Sequence, residues 1–194
     1  NQGMSLNGNT GANYIKGGSG VDALFGGAGV DTLEGGTGDD LYILRDVGDV
    51  LIETAAGGTK DRAQAYVEGT TLGANIEQFY LMGNVAAANG SDTDQRIVGN
   101  AAKNVIDGRG GVDRIYGNAG DDSIRGGTGN DQIYGGEGGD TYTYAAGDGF
   151  DVIYNYDRLG GKDTLVIEGA TESQWWWEQL GTDLLLTVRG KAGK

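Results

Sequence analysis

Histidine, cysteine and proline are all absent from these 194 residues. Without histidine or cysteine there is no imidazole or thiolate to hold zinc or copper. Ser-His-Asp and Cys-His catalysis are excluded for the same reason. No disulfide can staple the fold, whichever compartment holds it. The lack of proline, with no glycine at every third position, excludes collagen. Positive charge is scarce: 14 Lys and Arg against 28 Asp and Glu leave a net charge of −14. That balance argues against nucleic acid and anionic membrane surfaces as partners and for cations. There is no apolar run long enough to cross a membrane and no recognisable N-terminal signal peptide. Oxygen is the one metal-ligand type left, and it suits a hard ion such as calcium.

What the chain has in excess is glycine, 40 residues of it, beside a hydrophobic content of only 38%. Glycine loses more backbone freedom on folding than any other residue. A chain this rich in it needs an added source of stability or stays disordered. The glycines are periodic. GGSGVDALF (17–25), GGAGVDTLE (26–34) and GGTGDDLYI (35–43) follow a weaker copy, GNTGANYIK (8–16). A second array reads GNAAKNVID (99–107), GRGGVDRIY (108–116), GNAGDDSIR (117–125), GGTGNDQIY (126–134) and GGEGGDTYT (135–143). Degenerate copies flank it, GSDTDQRIV (90–98) and AGDGFDVIY (146–154).

Position 6 of the nine strict copies holds Asn13, Asp22, Asp31, Asp40, Asn104, Asp113, Asp122, Asp131 and Asp140. Position 8 is always large and apolar, from Ile15, Leu24, Leu33 and Tyr42 to Ile106, Ile115, Ile124, Ile133 and Tyr142. A fixed period of this kind marks a solenoid. Six glycine-rich residues suit a turn whose backbone angles are open to glycine. The remaining three form a short strand with one inward side chain, position 8. Two units make one coil, so each unit stacks on the second one along. Stacking brings position-6 carboxylates together, which is repulsive without a cation. With calcium between the turns it becomes a site.

The nonapeptide resembles the RTX, haemolysin-type, calcium-binding repeat, whose pattern is G-G-x-G-x-D-x-U-x. The resemblance implies an all-β fold of two parallel β-roll blocks with calcium between turns, and a bacterial protein exported unfolded by a type I system and folded outside the cell. It carries ligand roles to positions 2, 4 and 6, the first two through backbone oxygen. In the first array these are Asn9, Gly11 and Asn13, Gly18, Gly20 and Asp22, Gly27, Gly29 and Asp31, and Gly36, Gly38 and Asp40. In the second they are Asn100, Ala102 and Asn104, Arg109, Gly111 and Asp113, Asn118, Gly120 and Asp122, Gly127, Gly129 and Asp131, and Gly136, Gly138 and Asp140. Asp151 faces Asp131 if copy 146–154 joins the stack. The expected load is roughly five to seven calcium ions, given one ion per stacked pair. Asn13 and Asn104 lack the charge, so sites at the leading edge of each array are expected to be weak or partly empty.

The expected organisation is a first roll over 1–52, a β-rich connector over 53–89, a second roll over 90–154 and a C-terminal β cap over 155–194. AQAYV (63–67) and IEQFYLM (76–82) read as strands or a cap over an exposed roll end. DTLVIEG (163–169), SQWWWEQ (173–179) and DLLLTV (183–188) read as three further strands. WWW is expected to plug the second roll, with a sugar-stacking platform as the alternative. Both arrays end alike, with GDVLIE (48–53) matched by FDVIYN (150–155), as an old duplication would leave them. DTDQRIVGN (92–100) is no EF-hand, because Ile97 stands where that loop needs glycine. Paired carboxylates follow the repeat and call for no active site, so an enzyme is not expected. The expected partners are calcium and other domains of a larger parent protein, with a glycan or protein ligand as the competing reading.

Overall fold

A computed structural model describes residues 2–155, 160–169, 175–180 and 183–188, the last two segments as backbone. All regular structure among these is β. A nine-stranded parallel sheet runs Ser5–Asn7, Ala23–Phe25, Leu41–Leu44, Arg62–Ala65, Gln78–Leu81, Arg96–Val98, Arg114–Ala119, Gln132–Glu137 and Val152–Tyr154. The alternate units form a three-stranded sheet, Tyr14–Ser19, Thr32–Thr37 and Val50–Ile52. Further along they form a five-stranded one, Ala87–Asn89, Val105–Asp107, Ser123–Arg125, Thr141–Ala145 and Thr164–Glu168. The chain is a parallel β-solenoid.

The register follows from the nine-residue period. Ile15 pairs with Leu33, Leu24 with Tyr42, Ile106 with Ile124 and Ile115 with Ile133, each two units apart. Strands this short have room for one inward residue, and that residue is position 8. Leu24, Leu33, Tyr42, Ile97, Ile106, Ile115, Ile124, Ile133 and Tyr142 are all buried in one continuous cluster. Each such side chain contributes roughly 1.5–3 kcal/mol on burial. One row of single residues makes a thin core, so packing alone is a weak source of stability here.

The connector continues the solenoid. Arg62–Ala65 pairs in parallel with Leu41–Leu44 on one side and with Gln78–Leu81 on the other. Gln78–Leu81 in turn pairs with Arg96–Val98, so one sheet links the two arrays. Ala63, Leu72, Ile76 and Phe79 carry the core through this segment. On the opposite wall the strands stop after Ile52 and resume at Ala87, with a single bridge from Thr71 to Asn89.

Of the three expected tail strands, Thr164–Glu168 extends the five-stranded sheet beside Thr141–Ala145. Trp175–Leu180 and Asp183–Val188 form an antiparallel hairpin. The side chains of Trp175, Trp176 and Trp177, on which the plug and platform readings turn, lie outside the described residues.

Candidate metal centre

The turns show what the glycines do. In copies 17–43 and 126–143 the glycines at positions 2 and 4 all have positive φ, between 99° at Gly127 and 143° at Gly129. Gly111 and Gly120 do the same at position 4, while Arg109 (73°) and Asn118 (82°) hold positive φ at position 2 without being glycine. Stacked turns sit close: a methyl on Gly138 would lie 2.7 Å from the carbonyl carbon of Gly120, and nearer still to its oxygen. The carbonyls of positions 2 and 4 therefore point along the solenoid axis, from one turn to the next.

Position 6 forms a ladder along that axis. The Asn13 N–H donates to Asp31 Oδ1 (2.8 Å), Asp22 to Asp40 (2.7 Å) and Asn104 to Asp122 (2.7 Å). Asp113 donates to Asp131 (2.8 Å), Asp122 to Asp140 (2.9 Å) and Asp131 to Asp151 (3.0 Å). One oxygen of each carboxylate is thus occupied. The other is not: Oδ2 of Asp22, Asp31, Asp40, Asp113, Asp122, Asp131 and Asp140 is buried with no hydrogen-bond partner. These residues are at most 1% exposed. Among the described residues the ion pairs are Lys16–Glu34 and Arg125–Asp148, and neither reaches these aspartates.

An unpaired buried carboxylate is costly, and a cation is the direct remedy. The surroundings suit one. The space beside the position-1 glycine is bounded by Oδ2 of its own copy's aspartate and by the position-1 carbonyl two copies on, as at Gly17 with Asp22 and Gly35, or Gly117 with Asp122 and Gly135. Any side chain there would displace these oxygens. Calcium takes six to eight oxygens from carboxylates and carbonyls, and the residues present match that chemistry. The aspartates and turn carbonyls would hold the ion, which would supply the positive charge missing between turns. The position-1 carbonyls would join them, a contribution that the sequence reading missed; its signal was the first glycine of each strict copy.

The leading copies are built differently. Asn9, Gly11, Asn100 and Ala102 are absent from the positive-φ set. Instead the turns close on themselves. Asn13 Oδ1 accepts the Asn9 N–H (2.7 Å), and Asn9 Oδ1 accepts that of Gly11 (2.9 Å). Asn104 Oδ1 accepts the Asn100 N–H (2.8 Å), and Asn100 Oδ1 that of Ala102 (2.8 Å). The Asn104 amide also donates to the Val85 carbonyl (3.0 Å). Gln95 repeats the device, accepting from the Ser91 N–H (2.8 Å) and donating to the Ile76 carbonyl (2.9 Å). An amide carries both donor and acceptor, so it satisfies the turn without a metal. Asn104→Asp removes the donor and buries a charge, at about 2 kcal/mol in the metal-free form. The calcium needed for half-folding should then rise, and native mass spectrometry should count one more ion at saturation. An unchanged count would contradict this reading of the turn.

Burial raises the carboxyls. It pushes Asp113 up to about 8, with Asp131, Asp94 and Asp107 adding to the effect and the Gln95 N–H opposing it. Burial likewise brings Asp151 to about 7 and Asp122 to about 6. Asp40, Asp131 and Asp140 move the same way for the same first cause. These values stand above the unfolded aspartate value of about 3.9, so the folded metal-free chain binds more protons than the unfolded one. Its stability is then greatest in acid and falls as pH rises through about 6 to 8. In EDTA, the β signal by circular dichroism should be strongest near pH 5 and be lost as the pH rises to 8. Metal-free stability that climbs over that range would contradict the burial argument.

The ladder runs on past the strict copies, in period at Asp49 and out of period at Asp61, Glu77 and Asp163. Asp49 Oδ1 accepts the Asp31 N–H (3.0 Å), Asp61 that of Asp40 (2.6 Å) and Asp163 that of Asp140 (2.8 Å). Glu77 Oε2 accepts the Asp61 N–H (2.8 Å). In the second array Arg125 pairs with Asp148 (3.3 Å).

Parallel coils, a one-residue core row and oxygen donors stacked between turns define a cation-binding β-solenoid. A family model described as the RTX calcium-binding nonapeptide repeat (4 copies) matches residues 6–42, 89–124 and 107–142. These two arrays are RTX calcium-binding nonapeptide repeats. No curated protein matches the chain.

Proposed function

We propose that this chain is a calcium-switched folding module of a larger secreted bacterial protein, a toxin, enzyme or adhesin whose activity lies in other domains. The observation that carries it is the row of buried carboxylate oxygens without a partner. Inside a cell, where calcium is scarce, the net charge of −14 and the glycine content favour an open chain suited to export through a type I system. Outside, calcium reaches the range in which extracellular modules bind it, roughly 10⁻⁴ to 10⁻³ M. About five ions would bring the net charge near −4, so that binding energy becomes folding energy. The RTX repeat is a structural module and supplies no catalytic group. Small-angle scattering at neutral pH tests the switch. A radius of gyration of about 45 Å is expected in EDTA, the unfolded value for this length, with compaction on adding calcium. A compact chain in EDTA would overturn the proposal.

A second reading, a surface that holds a glycan or a partner protein, is favoured by one feature. Tyr116, Tyr134 and Tyr154 stack at 4.8 and 4.4 Å on the nine-stranded sheet, and Arg96 lies 4.9 Å over Tyr116. Such ring faces can carry sugars or cations. A glycan screen of the calcium-loaded protein beside Tyr134→Ala and Trp176→Ala would test it. Absence of binding would sink it.

A further inference from the structure

We infer that Asp40, the last position-6 acid of the first array, forms a cation site with Glu53 and Asp61, two acids outside the repeat pattern, at the junction of that array and the connector, which takes calcium and latches the two together. This rests on the proposed function for the identity of the ion. Among the described residues these are the group of three carboxylates that could hold a metal, with one oxygen of each within 4.8 Å of the others. Asp40 comes from the last strict copy of the first array, Glu53 from the stretch that follows Val50–Ile52, and Asp61 from the turn before Arg62–Ala65.

Proximity of acids alone would not make a site. The second observation is that Asp40 and Asp61, at 1% and 0% exposure, each keep Oδ2 buried and without a hydrogen-bond partner. Their Oδ1 atoms are already used, Asp40 by the Asp22 N–H and Asp61 by the Asp40 N–H. Glu53 is likewise committed on one side, where Oε1 accepts the Thr54 N–H (2.8 Å). Its Oε2 turns inward to accept the Tyr42 hydroxyl, which itself accepts the Gly35 N–H (2.9 Å). Asp40 Oδ2, the Tyr42 hydroxyl and Glu53 Oε2 all crowd the spot where a side chain on Gly35 would begin. Three inward carboxylate oxygens and one hydroxyl make an oxygen-only donor set of charge −3. A hard divalent cation fits such a set better than a proton or an ammonium group.

The second array offers an internal contrast. There Asp140 donates its N–H to Asp163 as Asp40 does to Asp61, and Tyr142 replaces Tyr42. The aligned stretches GDVLIE and FDVIYN put Asn155 where the first array has Glu53. Correspondingly the Tyr42 hydroxyl donates to Glu53, whereas the Tyr142 hydroxyl lies beside Asp140 and Gly135 with no glutamate to receive it. The third carboxylate is therefore a property of the first junction and not of the repeat.

The test is calcium titration of the full chain by calorimetry, with native mass spectrometry to count ions. Glu53→Gln keeps the shape and an acceptor but removes the charge. Glu34→Gln, on the outer pair with Lys16, makes the same charge change away from the site. Glu53→Gln is expected to lose one ion or to weaken one step about tenfold, while Glu34→Gln keeps the wild-type profile. Should Glu53→Gln fail to fold, Tyr42→Phe with terbium in place of calcium serves instead. Loss of tyrosine-sensitised emission relative to wild type is then expected. Wild-type binding in Glu53→Gln, or undiminished emission in Tyr42→Phe, would overturn the site and leave the proposed function standing. No calcium binding by the wild type would overturn both.

Discussion

Asp131→Ala is expected to raise the calcium concentration at half-folding about tenfold, and Asn13→Ala to change it little. Asp131 stands in the middle of a stack. Its Oδ1 accepts the Asp113 N–H, its own N–H donates to Asp151, and its Oδ2 is buried and unpartnered. Truncation removes a carboxylate that faces neighbours on both sides. It also leaves the Asp113 N–H without an acceptor, at about 1–3 kcal/mol. Asn13 is more exposed and spends its oxygen on the Asn9 N–H within its own turn. Calcium titration followed by circular dichroism compares the two. Equal midpoints would contradict the stacking of position 6 as the basis of binding.

Gly136→Ala should be the most damaging small substitution. Gly136 has φ of 110°, a region L side chains rarely adopt. A methyl there would meet the carbonyl of Asn118, with its carbon at 2.7 Å and its α-carbon at 3.0 Å. These are backbone atoms of the turn below and cannot rotate away. Strained backbone and overpacking together cost on the order of 3 kcal/mol. The variant should stay largely unfolded at calcium levels that fold the wild type, as urea midpoints in saturating calcium would reveal. A loss below about 1 kcal/mol would mean that the turns are not packed as described.

Most of the fold was legible because two constraints recur in register. A large apolar residue at position 8 and an acid at position 6 leave one way to coil the chain, and the pairs Leu24–Tyr42 and Asp22–Asp40 follow from it. The connector was legible as strands but not as rungs. Asp61 follows Asp40 by 21 residues and Glu77 follows Asp61 by 16, so spacing alone hides their membership of an 18-residue ladder. Ala63 also fills a core place that elsewhere takes a large residue, which blunts the apolar signal. The asparagine copies were read as weak sites on charge alone. That Asn104 closes its turn through both ends of its amide depends on the Val85 carbonyl, 19 residues away, which no local pattern announces.

The central claim is that calcium supplies the charge without which these turns cannot stack. Far-UV circular dichroism of EDTA-treated protein at neutral pH, titrated with calcium and with magnesium as control, tests it most directly. The account predicts a cooperative change from coil to β between about 0.1 and 1 mM calcium, and none with magnesium, which demands a tighter, near-octahedral shell. A full β spectrum already present in EDTA, unmoved by calcium, would contradict it.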